Sequence, residues 1–182
     1  FMKLMRKRIH KVLLIASNYD AFILESDGRI DEHIFNEYTS LNLSNPPELI
    51  QVPSEEQALE VLESDKIDLV ICMLTLEDID SFDLAKNVKH NYPTIPIVVL
   101  TPFSREVTLR LSNEDLSIID YVFSWLGNPD LLVAIIKLLE DKMNVEYDAL
   151  EVGVQVVLLV EDSIRFYSSY LPNIYKIIFQ QT

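Results

Sequence analysis

A three-layer α/β fold around a parallel sheet is predicted by two features of this chain. The first is a set of short, unbroken apolar runs, clearest at residues 12–16 and 69–74. Each is too short for a helix and lacks the polar alternation of a strand with one wet face, so it reads as a strand covered on both sides. The second is the helical spacing that separates such runs, as in Ala58, Leu59 and Leu62, then Phe82, Leu84, Ala85 and Val88, then Leu132, Ile135, Ile136, Leu139 and Met143. Strands alternating with helices in this way build a parallel sheet with helices on both faces.

In chain order, residues 11–15 form the first predicted strand. The helix after it is interrupted: residues 20–25 begin one, Ser26-Asp27-Gly28 is a turn signal, and Ile30, Ile34, Phe35, Tyr38 and Leu41 resume the spacing. Residues 48–52 make a short second strand. Ser54 then caps a helix, with Gln57 three residues on to form a capping box. The central strand and a helix over residues 82–90 follow, and Asn91-Tyr92-Pro93 ends that helix. A fourth strand over 95–100 closes on Thr101, a short helix spans 105–111, and a fifth strand covers 117–123. Pro129 in a first helical turn opens the last helix, through about Met143. Right-handed crossovers make 2-1-3-4-5, the flavodoxin-like order, the economical choice.

Composition narrows the function classes. The chain has 182 residues, 49% of them hydrophobic, enough for one domain plus a remainder. A net charge of -14 argues against general nucleic-acid binding, which needs basic groups on phosphates. No apolar run approaches the length of a membrane span. The basic start (Lys3, Arg6, Lys7, Arg8, Lys11) reads as a solvated lead-in over residues 1–8. The lone Cys72 sits inside the central strand and forms no intramolecular disulfide, in keeping with a cytoplasmic protein.

The run Ile67-Asp68-Leu69-Val70-Ile71-Cys72-Met73-Leu74-Thr75-Leu76-Glu77-Asp78-Ile79-Asp80-Ser81-Phe82-Asp83-Leu84 resembles the third strand and following loop of response-regulator receiver domains, which commonly read D-L-V-L-L-D-x-x-M-P-x-M-D-G-F-E-L. Asp68, Leu69, Val70, Asp80, Phe82 and Leu84 coincide with that pattern, and Asp83 stands for Glu. The resemblance implies phosphoryl transfer from a phosphohistidine to an aspartate that closes this strand. An acidic pair after the first strand would share a divalent ion with it. A Ser/Thr after the fourth strand and a Lys after the fifth would contact the phosphoryl oxygens. In this chain those places fall on Ala16 and Ser17 (acidic pair), Met73 (acceptor), Thr101 and Ser124 (lysine), and Trp125 replaces the usual proline. Only Thr101 matches. The expectation is a receiver fold without receiver catalysis, no cofactor and no metal in the first domain.

The acidic residues Glu77, Asp78, Asp80 and Asp83 lie just beyond that place and read as a solvated loop and helix start. Asp20 alone would make a poor magnesium site, and His10, His33 and His90 share no metal-ligand spacing.

The wording of the first strand returns near the end of the chain. Val12-Leu13-Leu14-Ile15-Ala16-Ser17-Asn18 recurs as Val157-Leu158-Leu159-Val160-Glu161-Asp162-Ser163, and each copy runs into a helix with aromatics. The expected division is therefore a pseudo-receiver at 9–143, a linker at 144–154, and the first strand and helix of a truncated second receiver at 155–182. Glu161 and Asp162 restore the acidic pair there, and could hold metal only in an intact second domain. Pro172 should kink or break the second copy's helix. The alternative makes residues 155–160 an extra strand of the first domain; the strand should then pack on the sheet of its own chain or of a neighbouring one.

Three functions compete. One is a phosphorylation-independent interaction module of two-component signalling, not an enzyme, with protein partners and, as one form of partnership, a homodimer through helix 129–143. That helix is broad and apolar, with Leu131 and Leu138 outside its main stripe. Another is the regulatory front end of an enzyme, since residues 161–172 resemble the start of receivers fused to phosphoenolpyruvate-synthase-like domains. The last is a flavodoxin-like enzyme or nucleotide binder, disfavoured because Ala16-Ser17-Asn18-Tyr19 lacks phosphate-cradling glycines. The leading reading has no nucleic acid, membrane or small-molecule substrate.

Overall fold

The computed structural model of the chain describes residues 4–25, 28–73, 81–102 and 116–180. The expected helix over 105–111 and the acidic residues Glu77, Asp78 and Asp80 lie outside the described residues.

Five parallel strands form one sheet in the order β2-β1-β3-β4-β5, as expected. They are β1 Lys11–Ile15, β2 Glu48–Val52, β3 Leu69–Met73, β4 Ile97–Pro102 and β5 Tyr121–Trp125. Between them run α1 Asn18–Leu24, α2 Ile30–Ser40, α3 Glu55–Ser64 and α4 Ser81–Asn91. Beyond β5 come α5 Asp130–Tyr147 and α6 Ile164–Gln180. The first helical region divides as its sequence implies, and Gly28 at φ +122° supplies backbone between the halves that a side chain rarely adopts. Ser54 caps α3, its hydroxyl accepting the Gln57 N–H at 3.3 Å. Pro129 sits one residue before α5, as its N-cap.

The pleat sends alternate side chains into two cores. Val12, Leu14, Leu69, Ile71, Met73, Val98, Leu100 and Phe123 face α2, α5 and α6. Leu13, Ile15, Val70, Cys72, Ile97 and Val99 face α3 and α4. β1 and β3 are buried on both sides, which is why they read as unbroken apolar runs.

The lead-in keeps Arg6, Lys7 and Arg8 exposed, as expected, but its backbone is bound. From Met5 to Ile9 the backbone lies along α5, whose buried polar residues receive it. Asp148 Oδ2 accepts the Met5 N–H (3.3 Å), Asn144 Oδ1 the Lys7 N–H (2.8 Å), and Glu140 Oε1 the Ile9 N–H (3.0 Å). Asn144 also donates to Lys7 O at 2.7 Å. The spacing works because four helical residues rise about 6 Å, close to the roughly 6.6 Å of two extended residues. Arg6 stacks over Tyr147 with 3.7 Å to the ring centroid.

Two expectations for the end of the chain need correction. Residues 156–160 form neither helix nor strand and are exposed, so the sheet of their own chain does not take them up. A lone strand gains nothing without neighbours to bond. The helix after them is not broken at Pro172 but runs through it, because only one internal hydrogen bond is lost while Leu171, Pro172 and Tyr175 are buried.

Candidate functional site

The site expected of this fold lies at the carboxyl ends of the strands. Ala16 and Ser17 follow β1, Met73 closes β3, Thr101 lies near the end of β4 and Ser124 near the end of β5. Pairing sets Met73 beside Leu100, and Thr101 beside Ser124. The structure thus brings the expected positions to one edge of the sheet, but as interior. Ala16, Met73, Thr101 and Ser124 are each no more than 4% exposed. Ala16 and Met73 belong to the same apolar cluster as Leu14, Leu100, Phe123 and Trp125.

The polar groups at this edge are turned to other uses. Ser17 caps α1, accepting the Asp20 N–H at 3.2 Å and donating to Asp20 Oδ2 at 2.7 Å. Asp20 is buried, so it does point inward, held by that hydroxyl. The Thr101 hydroxyl donates to Pro102 O at 3.1 Å. Ser124 Oγ is buried without a hydrogen-bond partner among the described residues. Burial pushes the neighbouring Cys72 thiol up to about 12, so it stays protonated and unreactive at neutral pH.

No three His, Cys, Asp or Glu side chains among the described residues are grouped so as to hold a metal ion. Asp83 is exposed and pairs with Lys86 at 3.0 Å. Glu161 accepts the Ser163 N–H at 3.0 Å, and Asp162 is exposed. His10 and His90 are surface residues. His33 is more than that: its Nε2 lies 2.8 Å from Asp130 Oδ1 and ties α2 to the start of α5.

The surface that sequence reading left open is covered instead. α6 lies across β5 and α5. The Tyr167 hydroxyl donates to Val122 O, and Ser168 Oγ accepts the Ser124 N–H at 2.8 Å. These two backbone groups point outward from the edge strand. Tyr175 donates to Asp141 Oδ2 at 2.6 Å, and Lys176 pairs with Asp130 and with Glu37. Burial raises the Asp130 carboxyl, but hydrogen bonds from Lys176 and His33 outweigh it and hold the group below the usual range. Helix 129–143, for which core packing competed with an exposed seam, has Leu131, Leu132, Ile135, Ile136 and Leu139 all buried within its own chain. The polar residues Lys137, Glu140, Asn144 and Asp148, spaced three or four apart on an apolar helix, were the signal for the packed N-terminal arm.

Similar architecture is found among solved structures. The response regulator TrrA of Thermotoga maritima, in complex with Mg(2+)-BeF, aligns with a TM-score of 0.51 at 20% identity, over 72% of this chain and 99% of TrrA. A receiver-type fold is what this sheet order and these matches share. The chain has the receiver fold. A putative response regulator from Chloroflexus aurantiacus aligns at TM-score 0.53 and 20% identity, over 73% of this chain and 98% of that one. The receiver domain of a histidine kinase from Syntrophus aciditrophicus aligns at 0.52 and 19%, over 83% and 99%. No family model matches the sequence, and no curated protein matches it. No helix among the described residues is long and apolar enough to cross a membrane.

Proposed function

We propose that this receiver fold works as a degenerate receiver: a module of two-component signalling that acts by contact with protein partners and accepts no phosphoryl group. One observation carries the reading. The side chain at the acceptor place, Met73, is a thioether packed in the apolar core with Ala16. A thioether cannot form the acyl phosphate, and neither residue ligates a hard cation. The same reading places the chain in the cytoplasm, with no nucleic acid, cofactor or small-molecule substrate. The partner is of the kinase or regulator class, by likeness to TrrA, whose structure with the histidine kinase ThkA aligns at TM-score 0.53 and 20% identity. A homodimer through residues 129–143 is the weaker form of partnership, because α6 already lies on that helix.

Residues 9–143 are the module on this reading, 144–154 the linker, and 155–182 the opening unit of a second receiver. In support, α5 continues as helix through residue 152 before Gly153 ends it at φ +80°.

Incubating the chain with a small phosphodonor such as acetyl phosphate and magnesium tests the reading. The intact mass should stay unchanged. A phosphoryl adduct mapped to residues 9–143 would refute it.

A further inference from the structure

Helix α6 has two apolar faces, and only one is covered. Its inner face, with Tyr167, Ser168, Leu171 and Tyr175, lies on β5 and α5. Its outer face, with Phe166, Tyr170 and Ile177, is 47–56% exposed. The rings of Phe166 and Tyr170 stack there with centroids 6.1 Å apart. Immediately before the helix, the apolar residues 156–160 are 44–83% exposed and belong to no strand ladder.

The same molecule shows what such a segment requires. Its twin, β1, has the same run of Val-Leu-Leu-Ile against Val-Leu-Leu-Val, and is flanked by β2 on one side and β3 on the other. Val12 and Leu14 enter one core, Leu13 and Ile15 the other. By the same register Val157 and Leu159 would face one way, Leu158 and Val160 the opposite way. A segment apolar on both faces needs cover on both faces and a strand on each side. Pairing with a second copy supplies this poorly. In-register parallel pairing stacks Glu161 and Asp162 on their own copies, and either sense of pairing supplies one flanking strand where two are needed.

We propose that α6 is a wall shared by two sheets. Its inner face is fixed on β5 and α5. Its outer face and residues 156–160 seat a second parallel sheet of receiver type, whose strands flank 156–160 on both sides. This rests on the domain reading above and adds how the two units join. The joint also closes the edge of β5. The Tyr167 hydroxyl and Ser168 Oγ supply the donor and the acceptor that an added strand would bring, so no second copy extends the sheet there.

In the 182-residue chain, the triple change Phe166→Asp, Tyr170→Asp, Ile177→Asp should leave the melting temperature where it was and weaken binding of an apolar-surface dye. Leu171→Asp, on the inner face, should lower the melting temperature. Amide hydrogens of residues 156–160 should exchange as in an open chain. In the polypeptide read from the native reading frame past Thr182 they should slow by about 100-fold or more. The proposal fails if that frame stops at Thr182, if those amides stay fast in the longer chain, or if the triple change destabilises as Leu171→Asp does. It fails equally if the 182-residue chain sediments as a dimer that protects residues 156–160, which would make a second copy the occupant. None of these results bears on phosphoryl acceptance, so the joint and the degenerate site can fail separately.

Discussion

Replacing Glu140 with alanine is expected to destabilise the fold by about 3–5 kcal/mol, the usual loss when one partner of a buried ion pair is removed. Glu140 and Lys137 are 2.7 Å apart, with side chains 2% and 6% exposed. The change strands the Lys137 ammonium in the interior and leaves the buried Ile9 N–H without its acceptor at Glu140 Oε1. For a chain of this length that is a fall of roughly 6–20 °C in melting temperature. Glutamine at the same place keeps an acceptor for Ile9 and should lose less. Replacing Lys137 and Glu140 together by apolar residues of similar volume should recover much of the loss, since no lone charge then remains. Thermal melts of the three variants order these outcomes. If Glu140→Ala melts with the parent protein, the N-terminal arm is not held as described.

Phe123→Ala should cost about 3–5 kcal/mol through the cavity it leaves. The ring is 1% exposed at the middle of β5 and meets Tyr167 edge-on, with centroids 5.3 Å apart and planes at 87°. It therefore joins the sheet to α6, and the loss should spread unevenly. Hydrogen exchange should quicken in α6 and β5 more than in β1, whose cover comes from elements on both sides. A uniform change across the sheet would mean that α6 is not anchored through this ring.

Much of the sheet was legible because its strands are interior. A strand such as β3, covered on both faces, has no choice but an unbroken apolar run, and the turn at Gly28 marks the split between α1 and α2. The place of Met73 and Thr101 at the sheet edge followed from the same pattern. Long-range packing was what local pattern could not carry. Residues 156–160 have strand-forming composition, yet composition does not provide neighbours, and the segment stays unpaired. Residues 5–9 looked like a charged tail because their hold on α5 is through backbone N–H groups, which no side-chain pattern reveals. Trp125 was noticed only as a missing proline. In the fold it is buried in the same apolar cluster as Met73.

The most direct measurement follows the amide resonances of the chain while magnesium and beryllofluoride, a mimic of the phosphoryl group, are added together. With a thioether where an aspartate would have to stand, Ser17, Met73 and Thr101 should show the same small shifts as exposed residues far from the sheet edge. A saturable, magnesium-dependent shift confined to those three positions would mean that a working acceptor site exists there after all.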